Sequence, residues 1–268
     1  MKLGFIGAGN MAGAIFKGLI VSGAAKPSDI LIIRNDKKLQ EQQAEQLGVI
    51  GCETYEELIE QSNIVFLGVK PAAFPALLEN IKGSLEKYKP LVVSMAAGMS
   101  MTTIQEMLGF KPSIIRIMPN INAAILKSAT AYCGNSNAST EQLNTVEKLL
   151  SAIGSAYPVP EDKFAVFTAI AGCSPAYVYM FIDALARGAQ KLGMNKQQAL
   201  DIAAQAVAGS AEMFKQSGTH PAELTDKVCS PGGTTIEGVC TLDEYKFTAG
   251  IVKAVENSVL KDAMLSKK

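Results

Sequence analysis

The segment Gly7-Ala8-Gly9-Asn10-Met11-Ala12 constrains this chain more than any other. It reads G-x-G-x-x-A, directly after an apolar, β-type run at 2–6 and at the opening of a helical pattern over 10–22. In a strand–turn–helix of this kind the first glycine permits the tight turn and the second lets backbone approach a pyrophosphate. The closing small residue lets the helix pack closely on the strand, and the helix start points its free N–H groups at the anion. Small residues crowd any tight turn, so the spacing alone is weak. Its setting at the extreme start of the chain, between a strand and a helix, predicts a dinucleotide site contacted by Gly7, Gly9, Asn10 and Met11.

The end of the second β-type run decides which dinucleotide. An enzyme using NAD calls for a carboxylate there to bond the ribose hydroxyls. Here the run ends in Arg34-Asn35, followed by Asp36. Arginine matches a 2′-phosphate with two parallel hydrogen bonds, and Asn35 can donate to it. Asp36 either serves a ribose or caps the next helix. The charge pattern favours NADPH, with NADH as the alternative. Two further loops, Val69-Lys70-Pro71 and Met95-Ala96-Ala97-Gly98, fall at the carboxyl ends of β-type runs, where ligands sit in such sheets. Ala96 and Ala97 leave room for a nicotinamide ring; ordinary turn chemistry accounts for the same residues equally well.

Over the first 160 residues, short β-rich runs alternate with helical patterns. The runs fall at 2–6, 30–34, 64–69, 91–94 and 113–118, with weaker ones at 49–52, 129–133 and 155–159. Helical patterns occupy 37–47, 55–61, 74–81, 103–108 and 140–153. This alternation predicts an α/β fold whose sheet is covered on both faces. From 161 the chain reads as helices at 162–171, 175–192, 196–216, 221–228, 235–242 and 245–260. The expected plan is an N-terminal Rossmann domain at 1–160, doubly wound and mainly parallel, then an all-α domain at 161–268. The helices carry more apolar surface than a thin bundle hides alone, which points to a dimer interface.

Lysine plus arginine equals aspartate plus glutamate at 25 each, so no basic field exists to hold a nucleic acid or an anionic membrane. Any anion recognition is therefore local. The five cysteines lack ligand spacing and the one histidine is His220, so no metal site is expected. Free thiols fit a reducing cytoplasm. Lys2 before an apolar stretch superficially resembles a signal peptide, but Asn10 interrupts the run and Lys17 follows without a cleavage region. No apolar run is expected to be long enough to span a bilayer.

In the second half, Ser230-Pro231-Gly232-Gly233-Thr234-Thr235-Ile236-Glu237 is the informative stretch. Thr234-x-x-Glu237 has the form of a capping box, so a helix begins there. The two glycines before it can form a nest of N–H donors compact enough for one carboxylate. A well-capped helix after a tight turn is the plainer reading. Carbonyl reduction usually calls for a proton donor, and His220, before Pro221, reads as a surface turn residue. A protonated cyclic imine accepts hydride at carbon without a further proton in that step. It needs mainly orientation. Thr235 could bond the imine nitrogen through its hydroxyl, with Ser230 supporting the loop.

Together these residues resemble pyrroline-5-carboxylate reductase over essentially the whole chain. The resemblance rests on F-I-G-A-G-N-M at 5–11, V-K-P at 69–71, S-M-A-A-G at 94–98, R-I-M-P-N at 116–120 and S-P-A-Y at 174–177. Most specific are Leu224, Val228, Cys229, Ser230, Gly232, Gly233, Thr235, Gly238, Val239, Leu242 and Asp243 at the family's spacing. The resemblance implies NADPH-dependent reduction of pyrroline-5-carboxylate to proline, in a homodimer that some members assemble into decamers. It also implies that Gly232, Gly233, Thr234 and Thr235 hold the substrate, while Val69, Lys70, Pro71, Ala96 and Ala97 line the nicotinamide side. Departures occur at 171–177, where many relatives have S-G-S-G-P-A-Y, and at Tyr55 and Lys227, which replace asparagines of relatives. A β-hydroxyacid dehydrogenase shares the two-domain plan but relies on a lysine that 172–181 lacks. A six-membered imine acid as substrate, or a cofactor-binding regulator without turnover, remains an alternative. If Arg34 holds a 2′-phosphate, Arg34→Ala weakens NADPH binding and spares NADH in paired titrations; equal losses refute that role.

Overall fold

The computed structural model describes residues 1–265. It divides into two compact units, Met1–Gly172 with residues 259–265, and Cys173–Ser258.

The first unit runs β1 (Leu3–Ile6), α1 (Asn10–Val21), β2 (Ile30–Ile33), α2 (Lys37–Leu47), β3 (Ile50–Gly51), α3 (Tyr55–Gln61), β4 (Ile64–Leu67) and α4 (Phe74–Tyr88). It continues through β5 (Leu91–Ser94), α5 (Met101–Leu108), β6 (Ile114–Met118), β7 (Ser128–Gly134), α6 (Thr140–Ser151), β8 (Gly154–Pro158) and α7 (Phe164–Phe167). The strands form one sheet in the order β3-β2-β1-β4-β5-β6-β7-β8. Among the described residues only β6 and β7 pair antiparallel. The nine residues between them are too few for the crossover a parallel pair demands. The expected Rossmann sheet, mainly parallel, is therefore present.

Side-chain alternation along each strand sends residues to two separate cores. Phe5, Ile32, Phe66 and Val93 pack on one face with Ile15, Phe16 and Leu19 of α1 and Leu149 of α6. Ile6, Leu31, Val65 and Leu67 pack on the other with Leu58 of α3, Phe74 and Leu78 of α4 and Ile104 of α5. Phe5 and Phe66 are partners across β1 and β4, their rings stacked 4.5 Å apart.

Several bounds differ from the sequence expectation. The fourth strand stops at Leu67, and α4 continues past 81 to Tyr88 because Leu85 remains buried on its inner face. The compact units do not part at residue 160. Residues 161–172 stay with the sheet, since Phe164 is buried against Met118 and Ala131. They form a 3-10 turn (Glu161–Lys163), α7 and a π-helical turn (Thr168–Gly172) rather than one regular helix.

The second unit holds α8 (Ser174–Lys191), α9 (Lys196–Ser217), α10 (Pro221–Val228), α11 (Thr234–Glu244) and the start of α12 (Phe247–Leu265). Among its described residues only Ala186, Ala199 and Ala203 are buried. Met180 is 72% exposed, Leu192 88% and Tyr245 82%. An apolar groove of about 800 Å³ runs between Tyr177, Met180, Phe181, Leu242, Phe247 and Ile251. Three buried alanines do not make a core. The unit's apolar side chains require a further surface to cover them.

The helical run from Glu161 to Lys191 corrects one expectation. Its 31 residues include a window of mean hydropathy 1.6, of which 17% is buried, so by length and composition alone it could cross a membrane. The break that the sequence predicts at 172–174 narrows to a bend at Cys173, between the π-helical turn and the start of α8 at Ser174. In the sheet, Phe66→Ala removes one ring of the stacked pair and is expected to cost about 3–5 kcal/mol of stability, read as a lower urea midpoint.

Candidate active site: two helix starts without side-chain caps

Most α-helices here that follow an extended residue have their first turn satisfied by a side chain. Asp36, Thr54, Ser100, Ser139, Asn195 and His220 cap α2, α3, α5, α6, α9 and α10. Two do not. Gly9 precedes α1 and Gly233 precedes α11, each extended and neither able to offer a side chain. The free N–H groups and the positive end of the helix dipole make each start suited to an anion.

The α1 start lies where the strand order reverses between β1 and β4, the usual ligand crevice of such sheets. Gly7 turns the chain with φ +89°. A Cβ there would meet Val69 Cγ1 at 2.7 Å and the Gly68 carbonyl carbon at 2.9 Å. A Cβ on Gly9 would meet nothing within 4 Å, so backbone is open to a ligand. Gly9, Asn10, Gly13, Lys17, Arg34 and Gln43 line a cleft of about 350 Å³. Arg34 is fixed twice: its N–H donates to Gln40 Oε1 at 2.8 Å and its Nη1 to Gln43 Oε1 at 3.1 Å. Asp36 accepts the Leu39 N–H at 3.0 Å and so caps α2. Of its two possible roles, the cap is the one observed.

The other expected residues are spread around this edge. Met11 and Val69 are half-buried, while Asn35, Lys70, Pro71 and Ala97 are exposed. Ala96 is 2% exposed and packs into the core, so its side chain faces away from solvent. Two polar side chains of the cleft, Lys17 and Gln43, were missed. Lys17 could have been found, since Asn10, Gly13 and Lys17 share a face of α1 at helical spacing. Gln43 left no signal, because only the packing of α2 brings it to Arg34.

Before α11, Gly233 N–H donates to Ser230 O at 3.0 Å, with Pro231 and Gly232 (φ +69°) between them. Proline second and a left-handed glycine third make a type II turn. A Cβ on Gly233 would collide with Ser230 Oγ. The capping box expected from Thr234 and Glu237 is absent, because the helix starts one residue earlier. Thr234 and Thr235 become its first two residues, and their N–H groups stay uncapped by side chains. Ser230, Gly232, Thr234 and Thr235 are all exposed or half-buried. His220 caps α10, its Nδ1 accepting the Ala222 N–H at 3.2 Å. Thiols offer no nucleophile in the sheet: burial pushes Cys52 up to about 11, and burial with the Glu161 charge pushes Cys133 up to about 12.

Residues 161–265 match the family description "Pyrroline-5-carboxylate reductase dimerisation", and 2–98 match "NADP oxidoreductase coenzyme F420-dependent". The pyrroline-5-carboxylate reductase of Escherichia coli K12 is 39% identical over 99% of this chain and 98% of its own. The chain belongs to the pyrroline-5-carboxylate reductase family. Family membership extends to a human relative, pyrroline-5-carboxylate reductase 2, 34% identical over 97% of this chain and 82% of its own. The Streptococcus pyogenes reductase structure superposes with TM-score 0.89 at 39% identity, covering 98% of each chain. That of Plasmodium falciparum, solved with NADP bound, gives 0.90 at 29% identity, covering 99% of this chain and 98% of its own. The family's known role is proline biosynthesis, and the chain is an NAD(P)H-dependent oxidoreductase carrying the family's dimerisation segment. Gly7→Ala, strained at its positive φ and pressed on Val69, is expected to destabilise the protein by about 1–3 kcal/mol, visible as a lower Tm.

Proposed function

We propose that this chain reduces the C=N bond of 1-pyrroline-5-carboxylate with NADPH, giving L-proline in the last step of proline biosynthesis. The observation that carries the reading is the pair of uncapped helix starts. One suits the diphosphate of a dinucleotide; the other, on a tight turn, suits the single carboxylate of a small acid. Bound NADPH supplies a hydride from its nicotinamide ring.

Each residue then has a distinct role. Gly7, Gly9, Asn10 and Met11 admit the diphosphate to the start of α1. Arg34 and Asn35 bond the 2′-phosphate, and the engagement of Asp36 in capping α2 removes the carboxylate that NADH would want. Val69, Lys70, Pro71 and Ala97 border the nicotinamide, with Ala96 doing so through its backbone because its side chain is in the core. The N–H groups of Gly232, Thr234 and Thr235 hold the substrate carboxylate, and Gly233, whose own N–H closes the turn on Ser230 O, lets it approach. The Thr235 hydroxyl bonds the ring nitrogen, and Ser230 braces the turn. The substrate enters as its iminium, so the electron pair of the broken C=N bond stays on nitrogen and no acid is needed in that step. The only histidine is occupied as a helix cap, in keeping with this chemistry.

A homodimer covers the apolar groove of the second unit, with decamers of such dimers as a further assembly; neither nucleic acid nor membrane is a partner. All five cysteines are free thiols, which suits a cytoplasmic location. At the two departures from relatives, Tyr55 opens α3 and Lys227 pairs with Glu223 at 2.7 Å. The six-membered imine acid is the rival substrate, since one methylene shifts affinity by only ~1–3 kcal/mol.

Purified protein is expected to oxidise NADPH on addition of pyrroline-5-carboxylate and to release proline, faster than with NADH or the six-membered homologue. Thr235→Ala is expected to lower kcat by about tenfold or more while leaving the NADPH Kd unchanged. Absence of imine-dependent NADPH oxidation would sink the proposal.

A further inference from the structure

Glu161 serves two donors with one oxygen. Its Oε1 accepts the Arg116 Nη1–H at 3.1 Å and the Met101 backbone N–H at 2.8 Å. Arg116, on β6, is 6% exposed, and its guanidinium lies over the Phe164 ring, 4.8 Å from the centroid. The Arg116 Nε is buried and has no acceptor among the described residues. A buried cation is tolerated only when paired, so Glu161 is held in place by the need to neutralise Arg116. A second bond, from Asn120 Nδ2 to Ala171 O at 3.0 Å, pins the other end of the 161–172 segment.

Met101 is the first residue of α5, and the loop that reaches it from β5 contains Ala96, Ala97 and Gly98. That loop is anchored at both ends. Near β5, Met95 N–H donates to Leu67 O at 3.4 Å. At the far end Ser100 Oγ takes the Thr103 N–H, which leaves the Met101 N–H for Glu161. The acceptor therefore comes from 60 residues further along the chain.

We infer that Glu161 is a positioning residue: by holding the Met101 N–H it sets the loop 95–100 at the distance the nicotinamide ring requires. The inference rests on the proposed reading that Ala96 and Ala97 border that ring. Arg116 orients Glu161 and does not itself meet the cofactor. A small displacement of a positioning group costs a large factor at the reacting centre.

The test compares NADPH with 2′,5′-ADP, which carries the 2′-phosphate but no nicotinamide, on the full-length protein. Glu161→Ala is expected to raise the NADPH Kd and lower kcat by about tenfold each, with 2′,5′-ADP binding unchanged. Glu161→Gln retains the oxygen acceptor and is expected to restore most of both. Should Glu161→Ala fail to fold by circular dichroism, Glu161→Asp carries the same comparison. It keeps the negative charge that Arg116 needs but draws the oxygen back by one methylene from the Met101 N–H. Equal weakening of both ligands, or no change in either, overturns the inference. Wild-type protein that binds both ligands but leaves the imine unreduced defeats the proposed reaction and leaves this binding comparison readable. Wild-type protein that binds neither defeats both.

Discussion

Where Gly7 turns out of β1, a Cβ would stand 2.7 Å from Val69 Cγ1 and 2.9 Å from the carbonyl carbon of Gly68. The ends of β1 and β4 approach to a separation that only glycine tolerates there. Much of the first unit follows from this approach. Strands this close align Phe5 opposite Phe66 and stack their rings. The chain can fold from β1 straight into α1, whose first turn then opens at the edge of the sheet where the strand order reverses. A residue with a side chain at 7 would push those strand ends apart and with them the mouth of the cleft.

Capping shows where the chain departs from its own habit. It caps its helices with Asp36, Thr54, Ser100, Ser139, Asn195 and His220. At α1 and α11 it places glycine instead. Each glycine forgoes a side-chain capping bond, at a cost of only about a few tenths of a kcal/mol, and each leaves donors exposed. A protein accepts such losses where a ligand supplies the missing acceptor. The second unit shows the same logic on a larger scale. It buries three alanines and exposes Met180, Leu192 and Tyr245, which is stable only with another surface laid over it.

Strands and helices were legible where their pattern was strong. The runs at 30–33 and 64–67 are apolar at every position because both faces of the sheet are covered, whereas a half-exposed strand would alternate. The turn before α11 was legible because proline and glycine occupy the positions whose backbone angles they favour. Less was visible where one local signal overrode another or where distant partners decided the outcome. Thr234 and Glu237 have the form of a capping box, yet the turn closed by Ser230 and Gly233 brings the helix start forward by one residue. The helix read over 162–171 contains a π-helical turn, in a segment packed on the sheet by Phe164 and held there by Glu161 and Asn120.

By itself the sequence determined the class of fold, the family, and which helix starts carry glycine in place of a capping side chain. These rest on local chemistry: the angles glycine and proline permit, the N–H groups a helix start leaves free, and the period of apolar residues. Tertiary structure alone decided which side chains share a wall. It brought Gln43 to Arg34 and set Glu161 against Met101 and Arg116. Such pairings depend on how separate elements pack on one another, and neither period nor spacing encodes them.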